Sequence, residues 1–454
     1  MVHRDDEIIV AQCSPQGRGA IGLIRITGKN AVELVDSMSR LASGKRLQDC
    51  ATHTIHYGTV RDVKNQDIDT VLFLLMRGPS TFTGQDTIEI TCHNNQFIIQ
   101  HIIMRALECG ARSAQEGEFS RRSYLNGKVD LVQAEAINEL INAHNQQALK
   151  RSLSQLKGSL SSWIESIVDR LVRCLALSEA SFEFIDEDME FGPQIKHAIE
   201  QCRADIKKIS STFDHQQQLR QGIKIALIGS VNAGKSSLFN ALLKKDRAIV
   251  TPIAGTTRDV IESGLYVDGY YWTLVDTAGL RQTDDVIEQQ GIERSMDEAV
   301  HADIVLLVYD GSRVMTEQEK TVYDDLLKCY EHKLIIVHNK SDMNSQTVYS
   351  SHAEYVSSKN PESIEQLHEK IQSKSAQLLN QAESPFLLNQ RQITLLRELE
   401  TKLEAIVGML DGAVAYELLS YHLQEALSNL TELTGKTISE EGMDKVFREF
   451  CIGK

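Results

Sequence analysis

The sequence predicts a multidomain α+β and α/β protein. A P-loop α/β domain is inserted into a discontinuous helical domain, behind a mixed N-terminal domain. Three observations carry this. Residues 222–377 alternate apolar strand-like runs with amphipathic stretches, the pattern of a doubly wound sheet. Both flanks, 120–221 and 378–454, place apolar residues at three- and four-residue steps, as helices do. Residues 1–119 instead mix short β-branched runs with Gly, Pro and polar clusters. Two helical arms around an insertion can share one core, and 454 residues suit about three domains.

Within 1–119, strands are expected at Ile8–Val10, Ile21–Ile26, Thr70–Leu75 and Thr87–Thr91. A helix is expected from Gln96 to Cys109, stopped by Gly110. Leu149, Leu153, Leu156, Leu160, Trp163, Ile164, Ile167, Leu171 and Leu175 then predict one long amphipathic helix. The acidic run Phe184–Glu190 predicts a break between helices. In the inserted domain the strands are KIALIG, WTLVD, DIVLLVYD and LIIVHNK, with helices over Ser236–Leu243, near 288–300 and near 316–330. After Pro385 no proline interrupts the helical signal.

Composition narrows the class. Hydrophobic content of 42% and charged content of 24% suit a globular protein, and no apolar run approaches a membrane span. With no such run, no membrane is expected as a partner, and the start MVHRDDEIIVAQC, with acids before a short β-branched run, is unlike a secretory leader. Eight scattered cysteines without a CxxC pair argue against a zinc site and for reduced thiols in a cytoplasm. Net charge is −15, without the basic bias of a broad nucleic-acid surface. DNA is therefore not expected, and an RNA substrate would need a local basic patch or a partner to hold it.

The chemistry concentrates after residue 229. Gly229-Ser-Val-Asn-Ala-Gly234-Lys235-Ser236 fits G-x-x-x-x-G-K-S, between a predicted strand and a predicted helix. Its glycines let backbone N–H groups face phosphates; Lys235 supplies charge and Ser236 a hydroxyl for Mg²⁺. Asp276, in Asp276-Thr277-Ala278-Gly279, is placed to reach Mg²⁺ through water, and the Gly279 amide to sense a γ-phosphate. Asn339-Lys340-Ser341-Asp342 follows a strand, and a carboxylate there can accept from guanine N1 and N2, a pair adenine lacks. GTP is therefore the expected ligand. Ser357-Ser358-Lys359 stands where a fifth element is expected.

Leu280 occupies the position of the water-orienting glutamine of Ras-like proteins, and a leucine cannot hydrogen-bond water. Arg258, Arg281, Glu288 and Glu293 are the nearby candidates for that task. Asn232, followed by the loop Thr251-Pro-Ile-Ala-Gly-Thr256, could supply oxygen ligands to a monovalent cation that neutralises developing charge.

With these residues in view, the chain resembles the bacterial tRNA-modification GTPases of the MnmE/TrmE family from end to end. The resemblance rests on Ile8-Val-Ala-Gln-Cys-Ser-Pro-Gln-Gly-Arg-Gly19, Gly28, Pro79-Ser-Thr-Phe-Thr-Gly84, Glu118-Phe-Ser120, Leu125–Leu131 and Gln133-Ala-Glu-Ala136. It rests further on Ala254-Gly-Thr-Thr-Arg-Asp259, Gly291-Ile-Glu-Arg294 and the terminal Phe450-Cys-Ile-Gly-Lys454.

The resemblance implies an N-terminal folate-binding-like domain that dimerises and takes a tetrahydrofolate one-carbon donor, in the 5-formyl or 5,10-methylene form. It implies a flavin-dependent partner carrying FAD, joined in a heterotetramer, and a homodimer whose G domains associate with K⁺. The activity implied is addition of an aminomethyl or carboxymethylaminomethyl group to C5 of the wobble uridine of certain tRNAs. Folate contacts would fall on Arg25, Gln85, Lys128 and Lys454. K⁺ ligands would be Asn232, Thr251, Ile253 and Thr256, and Mg²⁺ would sit on Ser236 and Thr257. GTP contacts would fall on Asn232, Ala233, Gly234, Lys235, Ser236, Ser237, Thr251, Pro252, Ile253, Ala254, Gly255, Thr256 and Thr257. They continue through Asp276, Thr277, Ala278, Gly279, Asn339, Lys340, Asp342, Ser357, Ser358 and Lys359. Catalytic roles would belong to Glu288, orienting water, to Lys235, and to Cys451 in the terminal motif.

The chain departs from the family pattern at Gln85, where a glutamate is usual, at Asn94-Asn95 in place of two glycines, and at Val231 in place of proline. Arg121-Arg122 could touch RNA phosphate, though adjacent arginines on a helix are more often solvated. Arg18 could bind a folate tail or cap a turn, and Cys451 could be reactive or inert. A second class of function, a ribosome-assembly-type GTPase switch binding RNA, would be expected to append a basic KH-like or OB-like module. No such pattern appears in the sequence.

Overall fold

The computed structural model describes residues 6–17, 19–183, 191–213, 216, 220, 222–230, 232–243, 250–252, 261–267, 270–276, 299–343, 349–350, 352–380, 384–411, 414–450 and 452–453. The chain forms two compact units. One comprises 1–138, 155–200 and 401–454; the other comprises 139–154 and 201–400.

The first unit holds a seven-stranded mixed sheet in the order β3-β4-β5-β6-β2-β1-β7. Its strands are β1 (Ile9–Gln12), β2 (Ile21–Thr27), β3 (Ser39–Leu41), β4 (Thr54–Arg61), β5 (Asp67–Met76), β6 (Thr87–His93) and β7 (Arg112–Ser113). Helices α1 (Ala31–Ser37) and α2 (Gln96–Glu108) cover one face, packing Val32, Val35, Ile99 and Ile102 on Ile24, Ile26, Phe73 and Ile90. The strands alternate accordingly, and Ile55, Tyr57 and Leu72 are exposed. Helix α2 ends at Glu108, capped by Cys109 before Gly110, as its sequence predicts.

Helices α3 (Glu118–Leu125) and α4 (Leu131–Ile141) follow. The predicted long helix is two: α5 (Gln146–Leu156) and α6 (Ser159–Glu183). The break falls at Gly158, whose φ of 95° lies in the left-handed region where glycine commonly ends a helix. The spacing of leucines continues through the break, so periodicity alone reads one helix. Helix α7 (Gly192–Ser210) comes next; the acidic run lies outside the described residues.

In the second unit seven strands form a sheet in the order β14-β13-β12-β8-β11-β10-β9. They are β8 (Ile223–Ile228), β9 (Val250–Pro252), β10 (Ile261–Val267), β11 (Tyr270–Asp276), β12 (Ile304–Asp310), β13 (Leu334–Asn339) and β14 (Glu354–Val356). Five run parallel from β14 to β11; β10 pairs antiparallel with β11, and β9 pairs antiparallel with β10. Ile225 and Leu227 enter one core with Leu274 and Leu306, while Ala226 and Ile228 enter the other with Val305 and Leu307. Both faces are thus covered, which is why KIALIG and IVLLVYD are continuous apolar runs rather than alternating ones. Described helices that follow these strands include α8 (Lys235–Leu243), α9 (Glu317–Tyr330) and α10 (Pro361–Asn380). The helical signal resumes in α11 (Gln390–Met409), α12 (Tyr416–Leu433) and α13 (Glu440–Phe447). The helix predicted near 288–300 is described only at its end, 299–300.

Candidate functional site

In an open parallel sheet, ligands lie beyond the carboxyl ends of the strands. That edge gathers most of the predicted nucleotide residues. β8 ends in the P-loop, its neighbour β11 ends at Asp276, and β12 and β13 end at Asp310 and Asn339.

The P-loop has little room. A Cβ on Gly229 would lie 2.0 Å from the Val308 carbonyl, and one on Gly234, at φ 89°, would lie 2.3 Å from Asn339 Nδ2. Asn232 takes φ 63°, which asparagine tolerates better than most residues. Lys235 opens α8 and is buried, its Nζ donating to the Gly229 carbonyl at 2.6 Å and the Ser230 carbonyl at 2.9 Å. Ser236 and Ser237 follow in the first turn, exposed, where helix N–H groups lack partners within the helix.

The base-recognition end is joined to this loop. Asn339 Nδ2 donates to the Ala233 carbonyl at 2.7 Å, while its buried Oδ1 has no hydrogen-bond partner among the described residues. Lys340, at φ 61°, donates to Asp310 Oδ2 at 2.6 Å. Burial pushes the Asp310 carboxyl up, but Lys340 and Ser312 together outweigh it and hold the group below its ordinary range. Asp342 accepts from Ser357 Oγ at 2.8 Å and from Lys359 Nζ at 3.2 Å, and these bonds, the Ser357 one first, keep it ionised. Ser358, between them, is exposed.

The glycine cradle and the unpaired Asn339 oxygen fit a nucleotide with its phosphates over the loop. Thr251, Pro252 and Asp276 are placed only as strand backbone. Val231, Ile253, Ala254, Gly255, Thr256, Thr257, Arg258, Thr277, Ala278, Gly279, Leu280, Arg281, Glu288 and Glu293 lie outside the described residues.

A second cluster lies in the first unit. Arg25 pairs with Glu89 at 2.8 Å, reaches toward the Gly453 carbonyl at 3.4 Å and lies over the Phe119 ring at 5.4 Å. Cys13 Sγ donates to the same carbonyl at 3.1 Å, and burial, the largest influence on it, pushes that thiol up. Ile452 bridges Glu116, so the terminal motif is strapped beside Arg25. The loop carrying Gln85 is tied to β2 through Thr27 and Thr83 at 2.9 Å, and Asn126, two residues before exposed Lys128, donates to the Thr83 carbonyl at 2.7 Å. Cys451, Lys454 and Arg18 lie outside the described residues.

One expectation is overturned. Arg121 and Arg122 are not solvated: they are 3% and 1% exposed. Arg122 pairs with Glu118 at 2.9 Å and donates to Gln85 Oε1 at 2.9 Å, and Arg121 lies 3.5 Å from Asp444. The helix carrying them is covered on the side where charge was expected to meet water. A buried acid, Glu118, compensates the guanidinium groups. Sequence reasoning assigned no individual role to Asp310, Ser230 or Cys13, although Ser230 lies in the P-loop run, Cys13 in the first family motif and Asp310 at a strand end.

Two family models match the chain. The GTP-binding protein TrmE N-terminus spans residues 8–128, and the MnmE helical domain spans residues 131–451. The chain belongs to the MnmE family of tRNA modification GTPases. It is 36% identical to the tRNA modification GTPase MnmE of Geobacillus kaustophilus (strain HTA426), covering 99% of this chain and 99% of that protein. It is also 36% identical to that of Aquifex aeolicus (strain VF5), covering 99% and 100%. Among solved structures, the G domain of the T. maritima FeoB iron transporter covers 34% of this chain and 98% of that one, at 27% identity and TM-score 0.25. As an MnmE-family protein, the chain is a GTP-binding P-loop GTPase that acts in tRNA modification. Among the described residues, no helix is long and apolar enough to cross a membrane.

Proposed function

We propose that this MnmE-family chain hydrolyses GTP to drive addition of an aminomethyl or carboxymethylaminomethyl group to C5 of the wobble uridine of certain tRNAs. The observation that supports it best is the strapping of the terminal Ile452-Gly453 against Cys13 and Arg25. A GTPase that only switched would have no need to hold Ile452-Gly453 beside a cation and a thiol.

In this reading the Lys235 ammonium and the first-turn N–H groups of α8 bind the β- and γ-phosphates, and Asp342 with Asn339 selects guanine. Ser236 and Thr257 would hold Mg²⁺; Asn232, Thr251, Ile253 and Thr256 would hold K⁺. When bound, both ions supply positive charge against the phosphates. Glu288 orients the attacking water, the task that Leu280 cannot perform. Arg25, Lys128 and Lys454 would hold a tetrahydrofolate derivative, with Cys451 close in sequence to the strapped tail. The exposed Leu72 and Ile21 offer apolar surface on the same sheet for a flat ring. Gln85 spends its side-chain oxygen on Arg122, which argues for a supporting role rather than a direct contact. The working assembly is a homodimer joined by a flavin-dependent partner carrying FAD, in the cytoplasm.

Nucleoside analysis of bulk tRNA from cells lacking the gene tests the reading: the C5-modified wobble uridine should disappear, and an unchanged profile would overturn the assignment. GTP turnover should be faster in K⁺ than in Na⁺, and Glu288→Ala should bind GTP without turning it over. Equal rates in the two salts would remove the cation from the mechanism.

A further inference from the structure

Ser230, the first variable residue of the P-loop, has each of its polar groups held. Its N–H donates to Tyr323 Oη at 2.8 Å, its carbonyl accepts from Lys235 Nζ at 2.9 Å, and its hydroxyl accepts from Arg313 at 3.2 Å. Tyr323, on α9, is 4% exposed, and its hydroxyl donates in turn to the Val308 carbonyl at 3.4 Å. That carbonyl is also the one Gly229 abuts. Arg313 is fixed from behind by a two-pronged pair with Glu319, whose other bonds close the capping box of α9 through Thr316.

We propose that Tyr323 and Arg313 are positioning residues of the phosphate site, acting through Ser230 to set where the Lys235 ammonium points. This rests on the reading of Lys235 as the phosphate-binding lysine. A lysine is a point charge on a flexible four-carbon stem, so its direction depends on what its donors can reach. Here those acceptors include the carbonyls of residues 229 and 230. They hold their place only while the backbone at Ser230 does. Its N–H is tied to a buried phenol and its side chain to a guanidinium, both carried by the segment 313–323 rather than by the loop itself. Arginine suits the task because its planar fork can grip Glu319 with two nitrogens and still present one to Ser230. In a chain without the phenol, the free loop can turn that N–H to water, and nucleotide binding must restore the shape.

The test is titration of fluorescent mant-GDP into full-length variants. Tyr323→Phe should weaken GDP binding roughly tenfold, the scale of one partly buried N–H losing its acceptor. Ser230→Ala and Arg313→Ala should each weaken it severalfold, and their double variant by less than the product of the two losses, since the Ser230–Arg313 contact is removed by both. The decisive arm is a Lys235→Ala background. There, Tyr323→Phe should have no further effect on GDP affinity, whereas a merely structural role would lower affinity in both backgrounds. Tyr323→Phe binding GDP within twofold of wild type, or losing tenfold in the Lys235→Ala chain as well, would overturn the proposal. If Tyr323→Phe does not fold, additive losses in Ser230→Ala and Arg313→Ala would overturn it. A Lys235→Ala chain that binds GDP like wild type would instead remove the phosphate-site reading itself.

Discussion

Glu118 shows what a single residue can decide in this protein. It is 2% exposed and accepts from Arg112 through both oxygens, from Arg122 at 2.9 Å and from the Gln115 N–H at 2.9 Å. Burial pushes its carboxyl up, but Arg112, the Gln115 N–H and Arg122 together outweigh it, and the net displacement is below its ordinary value of 4.5. Removing one partner of a buried ionic cluster strands the others, which costs about 3–5 kcal/mol. Glu118→Gln should therefore lower unfolding stability at pH 7 by about that amount, measured in urea. Because the folded carboxyl titrates below the unfolded one, its contribution is complete above about pH 4.5 and fades as pH falls through the folded value. The gap between wild type and Glu118→Gln should accordingly narrow in acid; a gap that stays constant would show the charge to be immaterial. None of this was legible in the sequence. Arg121-Arg122 reads as a solvated pair because charge alone does not reveal that Glu118, Gln85 and Asp444 face it.

At the level of elements, legibility followed which side of a strand meets the core. β8 and β12 were plain because both faces are buried and the runs are wholly apolar. β4 was missed because it inverts the usual pattern: Ile55 and Tyr57 are exposed, while Gly58 and Val60 point inward. The Gly58 position is closed to side chains, since a Cβ there would lie 2.4 Å from the Arg40 carbonyl. The turn between α4 and α5 carries a similar hidden contact. His144 stacks on Tyr271 with centroids 4.2 Å apart, and its Nδ1 lies 3.4 Å from Tyr266 Oη, so its ring clamps the β10–β11 hairpin. Such a stack is worth about 0.5–1.5 kcal/mol. His144→Ala should raise hydrogen exchange across 261–276 by roughly two- to tenfold. Burial holds the imidazole below its ordinary value, so the neutral stack is complete above about pH 6.5 and weakens as pH falls through the folded value. His144→Phe should keep the protection and lose its pH dependence, and an unaltered pH profile in that variant would exclude the histidine as its source.

For the molecule as a whole, the inserted α/β domain was legible because its motifs sit at strand ends, while the partners of the amphipathic helices were not. Residues 139–154 share the compact unit of the nucleotide site, with Ala148 in its core and Glu139 paired to Arg220. Leucine spacing would look the same against any core. Charge is the property that the whole chain sets and no single element can. At −15, the molecule repels a polyanion at long range, and the buried Arg121 and Arg122 are withdrawn from any surface patch. Phosphate neutralisation supplies most non-specific RNA affinity, so this chain alone should bind tRNA no more tightly than about micromolar at physiological salt. The proposed flavin-dependent partner must then carry most of the phosphate contacts. Filter binding or fluorescence anisotropy with labelled tRNA should show weak binding by the chain alone. Adding the partner should tighten it and steepen the dependence on salt, because each neutralised phosphate adds to that slope. Nanomolar binding by the chain alone, with a steep salt slope, would mean that a local basic surface overrides the net charge, and the division of labour between the two proteins would have to be reversed.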